Sequence, residues 1–242
     1  MPDDVSLTAG LDYTSTGTWE AERVYTQENL TAADEAWLAL NIDYAFVALP
    51  TDQAREMDLP ASLRFPWDHN KDMYLLSSVH SVHCLQVLHR SNLEYRTNHT
   101  QTYTTEHLLH CLENIRLDLT CNADDTPRFV PRTAHESTVK TGVDQLRQCR
   151  SWDALEKWAK EHSACFNYHE FERKELEENV VYPAAWSFCG EGSEYLAQVQ
   201  RFYGKGVDWV LKDGGTPDID AIKAGKGKSP IPVHRAGGGG HQ

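Results

Sequence analysis

Histidine and cysteine, two side chains that commonly bind transition metals, occur twice in this chain in the same five-residue pattern. The sequence runs His-Ser-Val-His-Cys from His80 to Cys84 and His-Leu-Leu-His-Cys from His107 to Cys111. Random placement of 12 His and 6 Cys among 242 residues would give about 0.015 copies of such a pattern. The repeat therefore predicts a metal site built from two matching segments, since neutral imidazole is the commonest metal ligand.

Helical periodicity places the chemistry of each copy on one face. With 3.6 residues per turn, both His and the Cys of a copy lie on the same side of a helix. The two faces comprise His80, His83, Cys84 and Val87, and His107, His110, Cys111 and Asn114. A neighbouring apolar stripe of the second copy is predicted to pack into the core, and it comprises Leu108, Leu112, Ile115 and Leu119. We expect the two helices to cross or run antiparallel, so that their His and Cys converge.

Three further residues are candidates for supporting this site. His69 precedes the first motif in the segment Pro-Trp-Asp-His and could act as an extra ligand. Asp118 lies near the face of His107, and Asp124 follows a cysteine closely. Either carboxylate could accept a hydrogen bond from a metal-bound imidazole, although solvated or capping roles are the simpler alternative.

Composition excludes several classes of partner. The 23 Lys and Arg against 36 Asp and Glu give a formal charge of -13. Nucleic acid and anionic membrane surfaces would demand a basic face, so neither is expected as a partner. The sequence has no apolar run long enough for a membrane span and no signal peptide at its first residues. These features predict a soluble chain.

The six cysteines indicate the compartment. An even number of cysteines and two glycosylation sequons, Asn29-Leu-Thr31 and Asn98-His-Thr100, favour the secretory-pathway lumen or the extracellular space, where disulfides persist. The alternative is six reduced thiols in a cytosolic protein. We expect Cys165 to pair with Cys189. The other four either pair among themselves or bind metal: Cys84, Cys111, Cys121 and Cys149.

The elements that must position these residues are mainly helical. Helices are predicted over 32–46, 73–95, 105–119, 151–164, 168–179 and 193–209, with long irregular loops and few short strands. Thr31, Thr104 or Thr105, and Ser151 are the candidate N-caps. This pattern predicts a mainly α fold in which one compact domain spans 32–210, with its motif core at 73–162 and a helical C-terminal part at 163–210. Residues 1–31 are an irregular lead-in and 211–242 a flexible tail.

The motifs together resemble the UstYa-like family of fungal secondary-metabolite oxidases. The paired HxxHC motifs are followed by Cys121-Asn-Ala-Asp124 and then by Cys149-Arg-Ser-Trp-Asp153, and the resemblance spans roughly Ala32 to His162. It implies oxidative cyclisation, hydroxylation, desaturation or halogenation of a small-molecule or peptide natural product, with copper as the metal. It also implies that the metal ligands are His80, His83, His107 and His110, and that the family's recurrent cysteines are Cys84, Cys111, Cys121 and Cys149.

The sequence departs from this family at three points. Members usually carry an N-terminal membrane helix, so we expect that the anchor was removed or that this chain lacks one. Arg147 stands where the family often has His, which removes any extra ligand there. The region after His162 matches nothing in the family pattern and is interpreted as a substrate-facing cap.

The donor set leaves more than one function open. Four imidazoles suit copper, with two ions and O₂ as the oxidant. Thiolate binding by Cys84 and Cys111 would instead favour a structural zinc site, or a zinc-dependent enzyme lacking the HExxH motif. A third alternative is a non-catalytic metal-binding partner in a biosynthetic complex, either as a homo-oligomer or beside an active paralogue.

Overall fold

Six α-helices and five short strands occur in the part of the chain that the structure describes. The structure is a computed structural model, and it describes residues 9–18, 24–27, 29–130, 141–167 and 185–211. The elements in chain order are β1 (Ser15–Thr18), α1 (Leu30–Ala39), β2 (Phe46–Pro50), α2 (Thr51–Glu56), β3 (Arg64–Phe65), β4 (Asp68–Leu75), α3 (Ser77–Arg96), α4 (Thr105–Asn122), β5 (Leu146–Cys149), α5 (Trp152–Glu161) and α6 (Leu196–Phe202). The predominance of helix with few short strands agrees with the sequence prediction.

The apolar core surrounds a three-stranded antiparallel sheet with the strand order β2-β4-β3. Strand β2 contributes Val47, Ala48 and Leu49, all buried. Successive side chains on a strand point to opposite faces, so Val47 and Leu49 pack in one apolar cluster with Val79, while Ala48 packs in a second cluster with Phe65. Strand β2 is therefore covered on both faces.

Two long-range links join segments that are distant in the sequence. Strand β1 pairs with β5 in an antiparallel ribbon, so part of the predicted irregular lead-in is ordered against a distant segment. A disulfide joins Cys165 to Cys189, which confirms the predicted pairing. Both of its cysteines lie in the second apolar cluster.

Helices α3 and α4 form a hairpin whose connection is fixed by a buried carboxylate. Glu94 accepts hydrogen bonds from Arg90 Nε at 2.6 Å and from the Thr102 backbone N–H at 2.7 Å. Helix α4 then begins after Thr104, whose side chain accepts from the His107 backbone N–H. These bonds hold the loop between α3 and α4 in place, because breaking them would leave the buried Glu94 carboxylate without partners, at a high cost in free energy.

Two predicted helices begin or end elsewhere than expected. The segment 32–46 is not one helix, because α1 ends at Ala39 and Phe46 opens strand β2. Met73 is likewise in strand β4, and α3 begins only at Ser77. In both cases the apolar residues belong to a strand of the sheet and not to one face of a helix. The cap of α1 is Asn29 and not Thr31.

The C-terminal helices were predicted with less accuracy. Ser151 caps α5 as expected, with its Oγ accepting from the Ala154 backbone N–H, but the helix ends at Glu161. The predicted helix 193–209 is reduced to α6. The predicted helix 168–179 and the tail 212–242 lie outside the described residues.

The predicted packing of the apolar stripe on α4 is confirmed for Leu108 and Ile115 and wrong for Leu112 and Leu119. Leu112 is 51% exposed and Leu119 69% exposed, and only His107 and Cys111 of this helix are buried. Leu108 and Ile115 are partly buried. The half of the stripe next to the motif face, Leu108 and Ile115, packs against the cluster that contains Cys111, and the outer half, Leu112 and Leu119, faces solvent.

Candidate functional site

The two motif helices run antiparallel, and side-chain contacts set their register. Near the start of α3, Ser77 donates to Asp118 Oδ1 at 2.8 Å near the end of α4. Further along the interface, Asn114 contacts His80 at 2.8 Å. Still further along, Cys84 and Cys111 share a hydrogen bond. Residue numbers rise on one helix as they fall on the other, as an antiparallel hairpin requires.

The four motif imidazoles lie in a row across this interface. The ring centroids of His83 and His80 are 5.9 Å apart, those of His80 and His110 are 5.8 Å apart, and those of His110 and His107 are 6.2 Å apart. The contact between His80 and His110 joins one motif to the other. The fold therefore brings all four predicted metal-binding histidines together.

The spacing of the rings suits a metal ion between neighbours. A metal bound to an imidazole nitrogen lies about 3 Å from the ring centre, so two imidazoles on one ion have centres up to about 6 Å apart. The measured spacings are at this limit. In the described part of the chain, however, no three His, Cys, Asp or Glu side chains are gathered closely enough to hold an ion. The donor types fit a metal, and a site with three such ligands would need side-chain positions other than those in the structure.

Exposure to solvent changes along the row. His83 is 2% exposed and His107 is 9% exposed, whereas His80 is half-buried and His110 is exposed. The two ends of the row, His83 and His107, lie against the protein, and His110 in the middle of the row is open to solvent. A small molecule would therefore reach the row from the side of His110.

A pair of buried thiols lies beside the imidazoles. Cys84 and Cys111 are fully buried and unoxidised. The hydrogen bond from the Cys111 thiol lowers the pKa of Cys84, and Asn114 acts in the same direction. The same bond raises the pKa of Cys111, and burial adds to the increase. Cys84 is therefore the member of the pair that ionises first.

Two residues near the row had no assigned role in the sequence analysis. Asn114 lies on the predicted motif face, where its Nδ2 is 2.8 Å from His80 Nδ1 and 4.0 Å from Cys84 Sγ. Tyr103 precedes α4 and stacks on His107 with a centroid distance of 5.1 Å. Helical spacing placed Asn114 on the motif face. Nothing in the sequence indicated that Tyr103, in the segment before α4, would contact His107.

The predicted supporting residues are engaged elsewhere. Asp118 accepts hydrogen bonds from Ser77 and Ser81 on α3, so it fixes the helix pair. Asp124 forms an ion pair with Arg147 at 3.2 Å. His69 is exposed at the beginning of β4, and no ring contact or hydrogen bond of its side chain links it to another described histidine.

The remaining cysteines do not pair in the structure. Cys121 is exposed and Cys149 is partly exposed, and both are free thiols. Together with the free Cys84 and Cys111, they contradict the expectation that these four pair among themselves. The disulfide Cys165–Cys189 is the one bond formed among the described cysteines.

Comparisons with known proteins agree with the motif pattern. The sequence profile described as "Mycotoxin biosynthesis protein UstYa" matches residues 8–162. The chain is 32% identical over 170 residues to Chlorinase cctP2 of Talaromyces islandicus, covering 70% of this chain and 54% of that protein. It is 30% identical over 151 residues to Hydroxylase cctR of the same fungus, covering 61% of this chain and 55% of the relative. Oxidase ustYa of Aspergillus flavus is 25% identical over 115 residues, with 48% and 49% covered.

The matches have two limits in extent. The chain spans about half the length of the curated relatives that it matches, and no solved structure matches it.

Within the residues that the structure describes, every helix is too short or too polar to cross a bilayer.

Proposed function

The chain belongs to the UstYa family of mycotoxin biosynthesis proteins, and from that premise we propose that it is a copper-dependent oxidoreductase. Its substrate is a small-molecule or peptide intermediate of a fungal secondary-metabolite pathway. The observation that carries the proposal is the row of four imidazoles, in which His80 and His110 join the two motifs at 5.8 Å.

The donor set supports copper as the metal. Four imidazoles from two helices provide two nitrogen ligands for each of two ions, through His80, His83, His107 and His110. Imidazole suits both oxidation states of a redox-active copper site better than carboxylate oxygen does. Copper, when bound, supplies the one-electron chemistry with O₂ that an oxidase or hydroxylase requires.

The protein's own residues control access and environment. His83 and His107 place the two ends of the row in a dry environment, while the exposed His110 in the middle of the row faces the substrate side. Asp118 and its two serine donors keep the helices in register, so the four imidazoles stay within reach of each other. A carbon–hydrogen bond or phenol of the substrate would be positioned beside His110.

The reaction class follows the named relatives. One relative is a chlorinase and another a hydroxylase, and both names describe functionalisation of a substrate. We propose the same broad class here, with cyclisation and desaturation as further outcomes of the same activation. The disulfide Cys165–Cys189 supports an oxidising compartment, the secretory lumen or the cell exterior.

The test is complementation of a producing strain from which the gene has been deleted. The His110→Ala variant should leave at most about 1% of the product, because loss of a metal ligand exceeds the 10- to 100-fold cost of losing an outer hydrogen bond. His69→Ala is the matched control, since it removes an exposed histidine outside the row, and it should restore the product fully.

Two results would count against the proposal. Full product with His110→Ala would exclude the imidazole row from the reaction. Purified chain that holds zinc in place of copper, with product unaffected by copper chelation, would instead support the zinc alternative that the neighbouring thiols offer.

A further inference from the structure

Asn114 contacts one of the two ring nitrogens of His80. Its amide Nδ2 is 2.8 Å from His80 Nδ1, on the partly buried interface between α3 and α4. The same amide nitrogen is 4.0 Å from Cys84 Sγ, so the side chain is held between the imidazole and the thiol. Asn114 is therefore the described residue whose polar group reaches both the imidazole row and the thiol pair.

This contact determines which nitrogen of His80 can face a metal. A metal ligand must offer an unprotonated nitrogen, and its other nitrogen carries a proton that is donated to a neighbouring acceptor. Because Asn114 contacts Nδ1, the metal-binding nitrogen in this arrangement is Nε2. An amide can serve either state of the ring, because rotation by half a turn exchanges its NH₂ donor for its carbonyl acceptor.

We infer that Asn114 is a positioning residue that assigns Nε2 of His80 to the metal, an inference that rests on the proposed function. In the metal-free protein the amide NH₂ donates to Nδ1, and the ring proton is on Nε2. When Nε2 binds a metal, the proton is on Nδ1 and the amide oxygen accepts it. The number of protons on the neutral ring is the same in both states.

The repeat makes the assignment specific to one motif. The position equivalent to Asn114 in the first copy is Val87, which is fully buried and has no hydrogen-bonding side-chain group. The carboxylate predicted for this role, Asp118, accepts instead from two serines. The two motifs therefore differ in how their imidazoles are held, although their His and Cys are identical.

Copper affinity measured by competition titration on the full chain is the first test. Asn114→Leu removes the hydrogen bond with little change in size, and it should raise the Kd for copper by about 10- to 100-fold. Asn114→Asp keeps an acceptor for Nδ1–H and should remain within a few-fold of the wild type. Val87→Ala perturbs the equivalent interface position without removing a polar group, and it should also bind nearly normally.

The tautomer of His80 in the metal-free protein is the second test, read by ¹⁵N NMR with the signal assigned from a His80→Gln variant. The wild type should carry the ring proton on Nε2, whereas Asn114→Asp should move it to Nδ1, because a carboxylate only accepts. An unchanged tautomer in Asn114→Asp, or wild-type copper affinity in a folded Asn114→Leu, would overturn the inference. A wild-type chain that binds no copper would refute the proposed function, while the NMR result would still decide whether Asn114 sets the ring.

Discussion

The sheet β2-β4-β3 and the α3–α4 hairpin both bury side chains completely, but the hairpin buries more polar ones. Around the sheet the buried residues are mainly apolar, as with Phe65 and Leu49, and a disulfide lies among them. In the hairpin, the buried residues of α4 are His107 and Cys111, and four of the five leucines of that helix are exposed. Helix α3 buries four polar side chains beside its apolar ones: His83, Gln86, Arg90 and Glu94. Each region therefore uses its buried surface for a different purpose.

This difference separates stability from chemistry within one fold. Burial of apolar area provides most of the free energy of folding, and the sheet region holds the larger apolar clusters. The hairpin instead places polar, metal-binding side chains at the helix interface, and it holds them with hydrogen bonds such as those to Asp118. Substitutions near the sheet should change stability, and substitutions in the row should change ligand binding.

The largest effect on stability is expected at Phe65. Its side chain is fully buried and meets the Tyr195 ring edge-on at 4.8 Å, so Phe65→Ala should lower the free energy of unfolding by about 3–5 kcal/mol. Urea denaturation measures this change. Phe129→Ala removes a ring that is 50% exposed and should alter the value by less than about 0.5 kcal/mol. Equal effects of the two substitutions would contradict the assignment of the core to the sheet.

The disulfide should contribute nearly as much as a core aromatic residue. It closes a loop with a sequence separation of 24 residues, and replacing both Cys165 and Cys189 with Ser should cost about 3 kcal/mol by the loss of loop-closure entropy from the unfolded chain. Thermal unfolding with and without reductant tests this. Cys121→Ser, at an exposed free thiol, is the control and should have no effect. A reductant-insensitive wild type would refute the prediction.

A smaller, pH-dependent effect is expected from His89, which joins the hairpin to α1. Burial lowers the pKa of His89, and the positive charges of Arg96 and Arg90 lower it further. The Asp34 carboxylate, 2.9 Å from His89 Nε2, raises it in part. The folded state therefore binds this proton less readily than the unfolded state, so stability is complete above the ordinary pKa of about 6.5. It declines as the pH falls from there towards the lowered pKa of the folded state.

The His89→Gln variant isolates that contribution. Chemical denaturation at a series of pH values should show a shallower loss of stability below about pH 6.5 than the wild type shows, by at most about 1.4 kcal/mol per pH unit. Identical slopes for the two proteins would mean that His89 titrates alike in the folded and unfolded states.

The smallest effect is expected on the outer face of α4. Because Leu119 is 69% exposed, Leu119→Gln should change the free energy of unfolding by less than about 0.5 kcal/mol. A loss above about 1.5 kcal/mol would show that this leucine is buried, as the sequence pattern had predicted.

Helical spacing predicted the proximity of the motif histidines better than it predicted the core. The repeated motif correctly placed His80 and His110 on facing helices, and cap chemistry correctly marked Thr104 and Ser151 as helix starts. Each of these predictions depends on neighbours within a turn or two. Local sequence is sufficient for such features because the backbone itself sets the spacing.

Features that depend on distant contacts were missed. Met73 and Phe46 read as helical, but pairing between β2 and β4 drew both into the sheet. Periodicity also showed two stripes on α4 without showing how far round the helix the contact with the protein extends, and it includes Leu108 and Ile115 but not Leu112 and Leu119. The contact of Tyr103 with His107 depends on the path of the loop that Glu94 clamps, and spacing alone carries no signal for it.

Copper stoichiometry of the purified chain is the most direct test of the imidazole row. Equilibrium dialysis followed by elemental analysis should give about two copper ions per wild-type chain. A folded variant with alanine at all four motif positions, His80, His83, His107 and His110, should bind none, while a His69→Ala control keeps the wild-type value. Retention of wild-type copper by the folded fourfold variant would contradict the central claim that these histidines form the metal site.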